Sequence, residues 1–115
     1  MTVTKINLDF YFTNCTLESE TCKYWIKLNE SNLEYCFIAL LKYKETGKIE
    51  NRYELSTINK CFISSIDLYS DSEDENVFIL KINISGRNDD IIIPFEDSEK
   101  AYNVYLQIKD WNENR

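Results

Sequence analysis

From Lys5 to Phe95 the dominant period of the apolar residues in this chain is two, and only after Ser98 does their spacing lengthen to that of a helix. A period of two belongs to strands that bury one face, and a period near 3.6 to an amphipathic helix. Ile6, Leu8, Phe10 and Phe12 alternate with Lys5, Asn7, Asp9 and Tyr11 in a first strand. A polar loop, Thr13 to Thr21, separates it from Cys22–Leu28, where Tyr24, Ile26 and Leu28 share a face. Asn29 to Asn32 is turn-rich. Tyr35 to Tyr43 is apolar on both faces, which predicts a central strand covered on each side. Lys44 to Lys48 makes a hairpin turn with Gly47 at positive φ. Ile49 to Leu55 then alternates again, turning Glu50, Arg52 and Glu54 to water. Thr57 to Tyr69 is a long β-rich run interrupted near Lys60, and Phe78–Ile84 and Ile91–Phe95 follow. Pro94 restricts the last of these to a sheet edge or end.

The final segment reads as a helix over 98–113. Ala101, Val104, Tyr105, Ile108 and Trp111 fall on one helical face. Asp97 or Ser98 supplies the N-cap, Glu96 to Glu99 suits the positive end of the dipole, and Lys109 and Arg115 lie toward the other end. Strands this close together are joined by hairpins and pair antiparallel. The expected fold class is therefore mainly β (α+β). About seven antiparallel strands form a strongly bent sheet or a two-sheet partial barrel, capped by one C-terminal helix, in a single domain over 1–115.

Charge is divided unevenly along the chain. Through Lys60, eight carboxylates balance eight cations; from Cys61 onward twelve face five, which accounts for the net charge of -7. The densest cluster is Asp71, Glu73, Asp74 and Glu75, at the expected tip of a hairpin, with Asp89 and Asp90 at the next turn. Such a tip steers a basic partner or keeps a small protein soluble.

At 43% hydrophobic and 14% aromatic the chain is globular. No run approaches the ~20 apolar residues of a membrane span. The first residues alternate and include Asp9, unlike a secretory signal, so the expected location is the cytoplasm. Cys15, Cys22, Cys36 and Cys61 show no zinc spacing and read as free, mostly structural thiols, with Cys15 the reactive candidate. Sequons at Asn14, Asn29 and Asn83 read as chance matches in an Asn-rich chain. The load of Ile, Asn, Lys, Tyr and Glu suggests a low-GC genome, that of a bacterium or its phage.

The strand order, with Ile93-Pro94-Phe95-Glu96-Asp97-Ser98-Glu99-Lys100-Ala101-Tyr102 leading into the helix, resembles the pleckstrin-homology-like superfold. There a last strand often enters a capping helix through such an apolar-x-apolar, acidic, small-residue segment. The resemblance implies a binding module for phosphoinositides, peptides or other proteins. Phosphoinositide-binding members carry Lys and Arg in the first hairpin. The matching loop here, Thr13 to Thr21, has Glu18 and Glu20 and no cation before Lys23, so neither a phosphoinositide nor a membrane partner is expected.

Chemistry is hard to assemble from these residues. There is no His, so the commonest general base is missing, and Gly47 and Gly86 are solitary turn glycines that build no phosphate loop. No enzyme activity, cofactor or metal is expected; the acidic run lacks the spacing of a calcium loop. Lys42, Lys44, Lys48 and Arg52, interleaved with Tyr43 and Tyr53, make a modest basic and aromatic patch, opposed by Glu45, Glu50 and Glu54 and too small for a strong phosphate binder. The expected function is a non-enzymatic protein-binding module of a bacterium or its phage or mobile element. It would hold a partner with a basic surface through a sheet edge, with Cys22–Leu28 and Ile91–Phe95 the candidate edges, or through the acidic loop. The alternative is an acidic, phage-encoded inhibitor that occupies the nucleic-acid channel of a host defence enzyme by charge mimicry, with Asp71 to Glu75, Asp89, Asp90, Glu96, Asp97 and Glu99 as its surface.

Overall fold

The structure, a computed structural model, describes residues 3–8, 17–71, 76–86 and 90–113. The chain divides into two compact units, Met1–Thr57 and Ile58–Arg115.

The first unit is an antiparallel meander in the order β1-β2-β3-β4, with β1 Thr4–Asn7, β2 Leu17–Leu28, β3 Asn32–Tyr43 and β4 Ile49–Asn59, the last crossing into the second unit. Ile26 lies opposite both Ile6 and Tyr35, Tyr24 opposite Phe37, and Leu28 opposite Leu33, so the expected face comes together. Tyr24 meets Tyr35 and Phe37 edge-on, with ring centroids 5.9 and 5.2 Å apart, as the ring quadrupole favours. Ile6, Leu8, Tyr24, Ile26, Leu33, Tyr35 and Leu41 are all buried. Phe10 and Phe12 lie outside the described residues.

Two turns are built as their residues require. Asn29 Oδ1 accepts the backbone N–H groups of Ser31 and Asn32 at 3.1 and 2.7 Å, an Asx turn that joins β2 to β3. Gly47, at φ 65°, closes the loop between β3 and β4 and donates to the carbonyl of Tyr43 at 3.0 Å.

Two expectations for this unit are corrected. Residues 17–21 belong to β2 and not to a loop, because Ser19 to Thr21 find ladder partners in Lys42 to Leu40; an irregularity between Leu17 and Ser19 absorbs the poor strand pattern there. Cys22–Leu28 is not an edge, since β1 pairs along its other side.

In the second unit a 3₁₀ turn, Lys60–Phe62, makes the interruption expected near Lys60, with Asn59 Oδ1 accepting the Cys61 N–H at 3.0 Å. β5 (Ile63–Ser70), β6 (Phe78–Ile84) and β7 (Ile91–Phe95) follow in the order β5-β6-β7, antiparallel throughout. β7 is an edge, as Pro94 demanded. α1 (Ser98–Glu113) packs across all three strands. Leu80, Ile82, Ile93, Val104 and Ile108 are its fully buried core, each worth on the order of 1.5–3 kcal/mol.

Asp97 is the N-cap of α1, its Oδ1 accepting from the Glu99 N–H at 2.9 Å. Tyr105 and Trp111 are only half-buried on the docking face, and the last turn carries no basic residue, since Lys109 sits just before it. Asn83 of the sequon donates its side-chain amide to Ser65 Oγ at 2.7 Å and Asp67 Oδ2 at 2.8 Å, so it is a cross-strand staple. Among the described residues, the two sheets of antiparallel strands and the C-terminal helix bear out the expected α+β class, and neither sheet closes into a barrel.

Candidate functional site

The two faces of the first sheet differ sharply. Residues of even number in β3 turn away from the buried tyrosines, and there Ile38 and Leu40 are exposed. In β4 the odd positions behave likewise: Ile49 is 60% exposed, Tyr53 75% and Leu55 62%. An open cleft of about 450 Å³ runs along this surface, lined by Lys23, Ile38, Leu40, Arg52, Tyr53 and Leu55 among others. The apolar second face of β3 was expected to be covered; it is open at Ile38 and Leu40.

The strip continues across β2 to an aromatic ring held between cations. Trp25 has Lys27 Nζ 4.8 Å and Lys5 Nζ 5.3 Å from its ring centroid. Lys5 and Lys27 lie directly opposite one another in the ladder, a like-charge pair that costs stability on its own. The shared indole face offsets this, and Glu34 stands opposite Lys27 on the other side. Cys36, the cross-strand neighbour of Trp25, is buried at 2% exposure.

The basic and aromatic patch expected from the sequence is split by the pleat. Tyr43 points with Glu50: its hydroxyl donates to Glu50 Oε2 at 2.8 Å, while Arg52 Nε donates to Oε1 at 2.9 Å. These two bonds, Arg52's first, hold the Glu50 carboxyl below its ordinary range, and the bond to Glu50 raises the Tyr43 phenol. Lys42 pairs with Glu18 at 3.6 Å. Lys44 and Lys48 are exposed at the hairpin tip, and Tyr43, Thr46, Lys48 and Glu50 line a second cleft of about 380 Å³. Tyr53 takes no part in this cluster, because it lies on the apolar cleft.

Of the acidic candidates, Asp71 and Asp90 fall among the described residues. Asp71 is half-buried at the end of β5, its N–H donating to the Val77 carbonyl at 2.8 Å. Asp90 accepts the Ile84 N–H at 3.1 Å and lies 3.7 Å from Lys81 Nζ. Glu73, Asp74, Glu75 and Asp89 lie outside the described residues. Among the described residues no group of three His, Cys, Asp or Glu side chains could hold a metal ion, and no helix is long and apolar enough to cross a membrane.

Sequence reading missed Trp25, Ile38, Leu40 and Leu55 as surface residues. Their signal was present in β3, which is apolar on both sides, but the open face could not be told from a covered one.

Neither protein-family models, nor curated proteins, nor solved structures give a match.

Proposed function

We propose that the chain is a non-enzymatic protein-binding module that takes an apolar, acid-flanked segment of another protein on the open face of β3 and β4. The observation that carries this reading is the exposed strip of Ile38, Leu40, Tyr53 and Leu55. Contiguous apolar surface rimmed by polar groups is characteristic of interaction sites. Lys5, Lys23 and Lys27 border the strip, so its electrostatic complement is a carboxylate-bearing partner. This moves the site away from the acidic loop and reverses the charge expected of the partner. Among the described residues, seven strands followed by one helix are compatible with the resemblance to the pleckstrin-homology-like superfold, which implies a binder of proteins or peptides. Charge mimicry of nucleic acid draws less support, because Asp90 and Asp97 already hold a turn and a helix start.

The test uses three immobilised peptides with one alternating apolar sequence flanked by Glu, Gln or Lys. Binding should follow the order Glu, Gln, Lys, weaken with salt, and vanish in the Leu40→Glu/Leu55→Glu variant. Equal binding of all three peptides, or an unaffected variant, would sink the reading.

A further inference from the structure

The four edges of the two sheets are not equivalent. β1 has four residues, and β7 has five and contains Pro94. β5 presents Ser64, Ser65, Asp67 and Ser70 to solvent. β4 is the longest, at 11 residues, with three large apolar side chains exposed along it. Such an edge is a template for another strand unless something blunts it.

The backbone of β4 is oriented for this. The Lys48 carbonyl accepts from the Tyr43 N–H at 3.0 Å, so Lys48 turns its polar groups to β3. By the two-residue alternation of an antiparallel ladder, Ile49, Asn51 and Tyr53 turn theirs to the open edge.

The charges of β4 read as their own complement. Lys48, Glu50, Arg52 and Glu54 alternate in sign at every step. Laid antiparallel on a second β4 with Asn51 at the two-fold axis, Glu50 falls opposite Arg52 of the second copy, and Lys48 opposite its Glu54. The symmetry makes four ion pairs in all, and Ile49 lies against Tyr53 of the second copy on the apolar side. Moving the axis to Arg52 sets Glu50 against Glu54 twice. Moving it to Tyr53 keeps only the Arg52–Glu54 pairs and leaves Lys48 opposite Ile58. Opposite charges directly across a ladder stabilise and like charges destabilise, so the Asn51 register is selected.

We propose that two copies of this chain associate through β4, antiparallel about Asn51, joining their first sheets into one eight-stranded sheet with the apolar strips side by side. The interface is isologous, as a two-fold axis requires. It uses the edge of the sheet, whereas the peptide reading uses the face, so either can fail alone.

Sedimentation equilibrium tests this with Lys48→Glu and Glu54→Lys. Each variant replaces two attractive pairs by repulsive ones in its own homodimer, which should weaken it about tenfold or more. Mixed together, the two variants form four pairs of opposite sign, so the heterodimer should be tighter than either homodimer. Within one chain the two positions are six residues apart, roughly 20 Å along a strand, so a rescue on mixing is intermolecular. Asn51→Pro removes an edge-facing donor and should give a monomer with an unchanged circular dichroism spectrum. A wild type that stays monomeric at its highest soluble concentration would overturn the proposal, as would a dimer indifferent to both charge variants. If Asn51→Pro misfolds, the mixing experiment decides alone.

Discussion

The ammonium of Lys60 stands 4.5 Å from the ring centroid of Trp111. Lys60 opens the 3₁₀ turn before β5 and is 8% exposed, the one charged residue among the buried ones described. Trp111 lies in the last turn of α1, which has no basic residue of its own. The turn thus brings a cation to the end of the helix where the dipole is negative, and lays it on an indole face. A contact between residues fifty-one apart in sequence ties the start of the second unit to its end.

Trp111→Ala should destabilise by about 3 kcal/mol, the low end for a large aromatic because the ring is half-buried. Lys60→Met keeps the apolar stem and removes the charge, at a cost of about 1–2 kcal/mol. In urea denaturation the double variant should lose less than the sum of the two, by about 0.5 kcal/mol or more. Strict additivity would show that the ring and the ammonium do not act together.

The buried Tyr24 and Tyr35 predict an alkaline limit to stability. Burial raises the Tyr24 phenol far above its ordinary range, and its donated hydrogen bond to Tyr35 adds to this. Burial pushes Tyr35 up to about 12, with the nearby Glu54 carboxylate acting in the same direction. A raised folded pKa means that the unfolded chain loses the proton first. The contribution is therefore complete below pH 10 and is lost as pH rises toward 12, on the order of 2–3 kcal/mol from Tyr35 alone. Denaturation midpoints at pH 8 and pH 11 should differ in the wild type and differ less in Tyr35→Phe. Equal pH sensitivity in the two proteins would remove Tyr35 as the cause.

How much of this was legible depends on whether the signal was local. α1 over 98–113 and the left-handed Gly47 could be read because their determinants lie within a few residues. The start of β2 at Leu17 could not, since its warrant is the partner strand and not its own polar sequence. The arrangement of the basic patch was hidden for a related reason: Glu18 and Glu50 pair with Lys42 and Arg52, and the pleat sends Tyr43 and Tyr53 to opposite faces. Ile38 and Leu40 were legible as apolar, but alternation gives a strand's two faces without saying which one a protein leaves open.

The thiols should sort by burial. Cys61 is exposed in the 3₁₀ turn, Cys22 is intermediate and Cys36 is buried. Cys15, the reactive candidate from sequence, lies outside the described residues. Titration with an aromatic disulfide should modify Cys61 in the native protein and leave Cys36 protected until denaturant is added. Cys61→Ser should remove the corresponding fast phase. Rapid modification of Cys36 would mean that the sheet opens locally around Trp25.

Asp90 separates a structural carboxylate from an interaction surface. Its Oδ1 accepts the Ile84 N–H at 3.1 Å across the turn between β6 and β7, and its Oδ2 lies 3.7 Å from Lys81 Nζ. The ion pair is partly solvated and worth at most about 1 kcal/mol. The backbone bond matters more, because Ile84 is a buried residue whose amide would lose its acceptor. Asp90→Ala should therefore cost about 1–2 kcal/mol, whereas Asp90→Asn keeps an oxygen in place and should cost less than half of that. Thermal melts of the two variants read the difference directly. Equal losses would assign the stability to charge, and no loss in either would return Asp90 to the set of free acidic groups available to a partner.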